Sequence, residues 1–138
     1  MTLQIVSFNV WAVIVCFFSN MVIGALWYSP LMFGNVWLRL IGKTQDDISK
    51  EDAAKSMMLS MIPAALMILL LEITLGFAGA SSIVDALIIG SIVSVGFIGM
   101  SYMNLVLFED RSMKLTLVNV GYMAVSLNIA AILLTLWA

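Results

Sequence analysis

The chain has 138 residues, of which 63% are hydrophobic and 10% charged, where a soluble domain carries roughly a quarter charged residues. The net charge is −2 and no basic patch exists, which excludes nucleic acid as a partner. Histidine is absent and Cys16 is the single cysteine, which excludes a disulfide framework and a Cys/His metal site.

Four apolar segments predict an all-α fold, a four-transmembrane-helix bundle forming a single membrane domain over residues 1–138. The first segment is read as a retained helix from about Ile5 to Ser29. It lacks the basic start and small-residue cleavage site of a signal peptide. Trp27 and Tyr28 fit the interfacial aromatic belt, and Pro30 predicts a break at Ser29. Asn9, Cys16, Asn20 and Gly24 fall near one face of this helix. Cys16 itself reads as a small hydrophobe.

Residues 31–42 are apolar but too short to cross. With Trp37 and Arg39 they predict a short helix in the interface plane, stopped at Gly42. The following KTQDDISKEDAAK carries seven of the fourteen charged residues. Ser49 and Asp52 have the spacing of an N-cap and a first-turn acid, so the second helix begins with an exposed turn near Lys50. Its span is residues 53–78, with Pro63 and Glu72 inside. An unpaired carboxylate at depth is costly, so Glu72 should find a partner, a proton or water. It is a candidate coupling group.

The third helix covers residues 83–108, with Asp85 expected as its cap. Ala86, Gly90 and Ser94 recur every four residues, and Gly96, Gly99 and Ser101 form a second small set. Small residues let membrane helices approach closely. One face would pack inside the bundle while the other meets a second chain. The competing account buries both faces in one protomer, with the third helix central. The fourth helix covers residues 113–137 and carries a stripe of Asn119, Tyr122, Ser126 and Ala130. Asn20 should bond across helices, with Asn104, Asn119 and Asn128 as candidate partners. The same asparagines could instead line a substrate path.

Arg39, Lys43, Lys50 and Lys55 lie in or beside the first loop, and Arg111 and Lys114 in or beside the third. The positive-inside rule puts these loops in the cytoplasm and both termini outside. The expected location is the bacterial cytoplasmic (inner) membrane, multi-pass.

The segment NMVIGALWYSPLMFGNVWLRL, residues 20–40, resembles the start of a bacterial membrane family designated as a domain of unknown function, DUF1761. A second segment, LFEDRSMKLTLVNVGYMAVS, resembles the stretch into that family's last helix. The resemblance implies a small four-helix membrane protein and carries over no functional residue. Its motif residues Trp27, Tyr28, Ser29, Pro30, Phe33, Gly34 and Trp37 are read physically as a membrane exit, a proline break and an interfacial return. That cluster is a candidate binding surface or a simple anchor.

Three function classes follow. The first is a structural or accessory protein, with the lipid bilayer and itself or another membrane protein as partners, and no cofactor or metal. The second is a small proton-coupled transporter or channel using Glu72. The third, an enzyme, is not expected. Ser81 and Ser82 have no base near them in sequence, and Glu72 with Asp85 is a weak carboxylate pair.

Overall fold

The computed structural model describes residues 9–137 and is all helical there. Helix α1 spans Val10–Trp27. The expected start at Ile5 lies outside the described residues. A short helix α2 follows at Gly34–Leu40, then a single 3-10 turn at Gln45–Asp47. Helix α3 spans Lys50–Ala78, α4 spans Ile83–Glu109 and α5 spans Met113–Leu136. Helices α1, α3, α4 and α5 are each long and apolar enough to cross a bilayer. The protein is a multi-pass membrane protein.

Local chemistry sets the helix ends. Asn9, Ser49, Ser82 and Ser112 are N-caps whose side chains accept backbone N–H groups of the first turns. At α4 the cap is reciprocal, because Asp85 Oδ2 also accepts the Ser82 N–H at 3.3 Å. Gly42 and Gly79 end α2 and α3 at φ +75° and +69°. Each permits a Schellman closure. Lys43 N–H reaches Leu38 O at 2.9 Å, and Ala80 N–H reaches Leu75 O at 3.0 Å.

The bundle is arranged around its last helix. Helix α5 touches α1, α2, α3 and α4. Its most apolar stretch is 33% buried, against 11% for α1. The central helix is therefore α5 and not the third, where the competing account of the small residues put it. Its inner face, with Leu127, Ala130, Ala131 and Leu134, packs on Ala12 and Cys16 of α1, Ile68, Leu71 and Leu75 of α3, and Ala86 of α4.

Helix α4 is not regular. Its middle, Ile92–Gly99, is a π-helix. In a regular helix at 100° per residue, a position five on lies about 140° round the axis. The wide turns remove that offset. As a result Ala86, Gly90, Ser94 and Gly99 are all buried, with Gly90 and Gly99 facing Asn128 and Val120 of α5. Gly99 thus joins the first small set, whereas Gly96 and Ser101 are exposed. A Cβ on Gly96 would meet nothing within 4 Å.

Helix α3 divides in two. Every residue from Lys50 to Pro63 is exposed. From Ala64 onward the helix packs, and Ile68, Leu71 and Leu75 are buried. Pro63, which removes a helical donor and crowds the preceding turn, stands at that boundary.

Candidate functional site

The polar side chains of α1 and α5 meet along one seam. Asn9, Ala12, Cys16, Asn20 and Gly24 recur at helical spacing, so they share the face that α1 turns inward. Across from it, α5 presents Asn119, Tyr122, Ser126 and Ala130.

The Cys16 thiol points to Ala130 O at 3.7 Å and is buried. One helical turn on, Asn20 is the centre of a triad. Its side-chain oxygen accepts the Ser126 hydroxyl and also the Tyr122 hydroxyl, the latter at 3.2 Å. Tyr28 donates to Asn119 Oδ1 at 2.8 Å, and its ring meets Tyr122 edge-on with centroids 5.5 Å apart. The Trp27 indole N–H donates to Val118 O at 3.0 Å.

Two glycines admit the aromatic rings. Tyr122 lies over Gly24, where a Cβ would come within 3.2 Å of its hydroxyl. Trp27 lies over Gly121, where a Cβ would come within 3.0 Å of the ring. Each helix thus seats an aromatic on the other's glycine, which is close packing of the kind that holds helices together in lipid.

The turn after α1 extends this end of the seam. Phe33 N–H closes on Trp27 O at 2.9 Å, and Gly34 N–H closes on Ser29 O at 2.9 Å. A Cβ on Gly34 would fall 2.5 Å from Tyr28 O and 2.6 Å from the Ser29 carbonyl carbon, so only glycine fits. The Trp27 and Phe33 rings lie 4.7 Å apart with their planes tilted by 39°, and Tyr28 meets Trp37 edge-on at 5.3 Å. Pro30 is exposed beyond them. The motif from Trp27 to Trp37 is therefore a folded turn docked on α5.

At the opposite end, Glu72 of α3 reaches α1. Its Oε1 accepts the backbone N–H of Asn9 at 3.0 Å. The Asn9 side chain donates to Trp137 O at 3.0 Å. Glu72 Oε2 and Thr135 Oγ1 are buried without a hydrogen-bond partner among the described residues.

The structure brings Asn20 and Asn119 into the seam but not beside each other. Asn20 meets two hydroxyls instead of an amide, and Asn119 meets Tyr28. Asn104 is exposed on α4, and none of these bonds involves it. Asn128 serves α4, within 3.4 Å of the Ser91 hydroxyl. The sequence carries both stripes but not their pairings, nor the contacts of Glu72 with Asn9, Asn9 with Trp137, and Trp27 with Val118. The last two use main-chain oxygens, which leave no mark in a sequence. The first is also unmarked, because a helix read as starting near Ile5 puts Asn9 in its interior, where its N–H would already be paired. Among the described residues no group of three or more acidic or sulfur ligands comes together.

The model of one family, described as a protein of unknown function (DUF1761), matches residues 11–135. No curated protein and no solved structure matches the chain.

Proposed function

The chain belongs to the DUF1761 family, and we propose that it works as a structural or accessory helix bundle, packing in the membrane with copies of itself or into a larger membrane assembly. The observation that supports this reading is the bare half of α3. Met57, Met58, Leu59 and Ile62 are 57–68% exposed there, on a helix that finds its own bundle only after Pro63. Close packing on another helix gains dispersion contacts in lipid, and methionine adapts to varied partners. The seam adds to the argument, because its polar groups satisfy one another across α1 and α5 and so serve cohesion. Six basic residues in or beside the first and third loops favour an orientation with those loops in the cytoplasm, and the inner membrane of a bacterium is the location we propose.

Cross-linking tests the reading. In a Cys16→Ala background, with copper–phenanthroline added as oxidant, Met58→Cys should form a disulfide dimer or a discrete adduct in isolated native membranes. Leu136→Cys, at the far end of α5, should not. A wild-type protein that is monomeric in lipid nanodiscs, with no adduct at position 58, overturns it.

A second reading, a small proton-coupled transporter or channel, draws on the buried Glu72 Oε2 that has no partner. Intramembrane acids are functional candidates by default. In proteoliposomes, Glu72→Gln should abolish pH-dependent flux. Flux that keeps its pH dependence removes Glu72 from that role.

A further inference from the structure

We propose that the C-terminal end of α2 is a binding site for the phosphate headgroup of an anionic membrane phospholipid, held by Arg39 and Lys43. An open depression of about 390 Å³ lies there, lined by Asn35, Leu38, Arg39, Gly42, Lys43 and Thr44. Two of the six lining residues are cations and none is an acid.

Backbone geometry puts the two cations in one place. Gly42 takes the left-handed conformation at φ +75°, and Lys43 N–H folds back onto Leu38 O at 2.9 Å while Gly42 N–H closes on Arg39 O at 3.2 Å. This Schellman closure reverses the chain, so Lys43 leaves the helix beside the turn that carries Arg39. Among the described residues the one ion pair is Arg111 with Glu109. Arg39 and Lys43 therefore have no carboxylate within bonding distance. Asp47 is close enough to feel the Lys43 charge but stays beyond ion-pair distance of both cations, its Oδ2 turned to the Thr44 N–H at 2.8 Å and the Thr44 hydroxyl at 3.0 Å. The donors left for a ligand are the guanidinium, the ammonium and the Asn35 amide.

Position selects a lipid over a soluble anion. Helix α2 follows directly on the aromatic turn at the end of α1 and packs on α5. Leu31 and Met32, at its approach, are 87% and 48% exposed and would sit among acyl chains. A guanidinium presents a fork that matches phosphate oxygens, and an ammonium adds a point charge. Basic depressions at a membrane face are suited to anionic headgroups.

The test is a titration of the purified full-length protein in detergent with phosphatidylglycerol, phosphatidylcholine or inorganic phosphate, read by native mass spectrometry. Phosphatidylglycerol should bind in preference to phosphatidylcholine, and millimolar phosphate should not displace it. Arg39→Gln and Lys43→Gln should each weaken phosphatidylglycerol binding by about fivefold, and the pair by about 25-fold. Arg39→Lys keeps the charge and loses the fork, so its binding should fall between the parent and Arg39→Gln. Lys50→Gln, outside the depression, should leave it unchanged. Thermal melts of all variants should match the parent, since both side chains are exposed. Equal binding of the two lipids overturns the proposal, as does an equal loss from Lys50→Gln, which would mean diffuse attraction. Displacement by free phosphate overturns the lipid assignment.

Discussion

The Glu72 carboxylate caps a helix to which it does not belong: its Oε1 takes the backbone N–H of Asn9, 63 positions away, at 3.0 Å. The N-terminus of α1 offers unpaired N–H groups and the positive end of a helix dipole, and a carboxylate suits both. Replacing Glu72 with Ala leaves that N–H without its acceptor and should cost about 1–3 kcal/mol. Glu72→Gln keeps a carbonyl oxygen and should cost less. Thermal unfolding in one detergent compares them. An alanine variant as stable as the parent would mean that water serves the N–H equally well.

Two glycines give opposite outcomes on gaining a methyl group. Gly34→Ala drives a Cβ into the backbone of Tyr28 and Ser29, at 2.5–2.7 Å. Backbone cannot move aside as a flexible side chain can, so a loss of about 1–3 kcal/mol is expected. Gly96→Ala meets nothing within 4 Å, and alanine is the better helix former. It should leave the melting temperature unchanged or raise it. Intrinsic fluorescence reports the first variant directly, because Trp27 and Trp37 flank the turn.

The Asn20 triad should be energetically coupled. Asn20→Leu and Ser126→Ala each remove one side of the same bond, so their combined effect should fall short of the sum. A double-mutant cycle is expected to give about 0.6–2 kcal/mol of coupling. Asn104→Leu, on the exposed face of α4, should show none with Ser126→Ala. Additive losses at positions 20 and 126 would contradict the bond.

The first loop should respond to acid. The Thr44 backbone N–H, and then its hydroxyl, hold the Asp47 carboxyl below the ordinary carboxylate range. A pKa lower in the folded chain means that the turn gains stability above the unfolded value of about 3.9. That gain fades as pH falls through the folded pKa. Carboxyl NMR should find Asp47 titrating below the ordinary aspartate value of about 3.9, and Thr44→Ala should move it upward by removing the hydroxyl donor. An Asp47 that titrates at or above that ordinary value would contradict the two Thr44 hydrogen bonds.

Local features were legible because their causes are local. Ser49 caps α3 as its spacing to Asp52 suggests and Gly42 stops α2, whereas the N-cap of α4 is Ser82, with Asp85 completing it from the first turn. Length and hydropathy marked the four spanning helices, and the polar stripes of α1 and α5 did turn toward each other. What sequence did not reveal depends on distant packing. No pattern marks α5 as the hub, since α1, α3 and α4 are as apolar as it is. The partners of Asn20 are hydroxyls on its facing helix, and the choice between them and an amide is set by how the two helices are phased. The π-helix also escaped notice. Periodicity at 100° per residue put Gly96 and Gly99 together on a second face, whereas the wide turns return Gly99 to Ser94.

The π-helix has a consequence for how α4 tolerates changes in length. The buried steps run 86, 90, 94 and then 99, so the segment holds one residue more than its angular phase requires. Deleting Gly96, which has empty space around it, would make the last step four residues. Both halves of α4 would then keep their contacts with α5 on a plain α-helical path. A deletion before Ser94 or after Gly99 would turn everything beyond it by about 100° and carry its buried face toward lipid. The helix thus holds one dispensable residue between Ser94 and Gly99, and its register outside that interval is fixed.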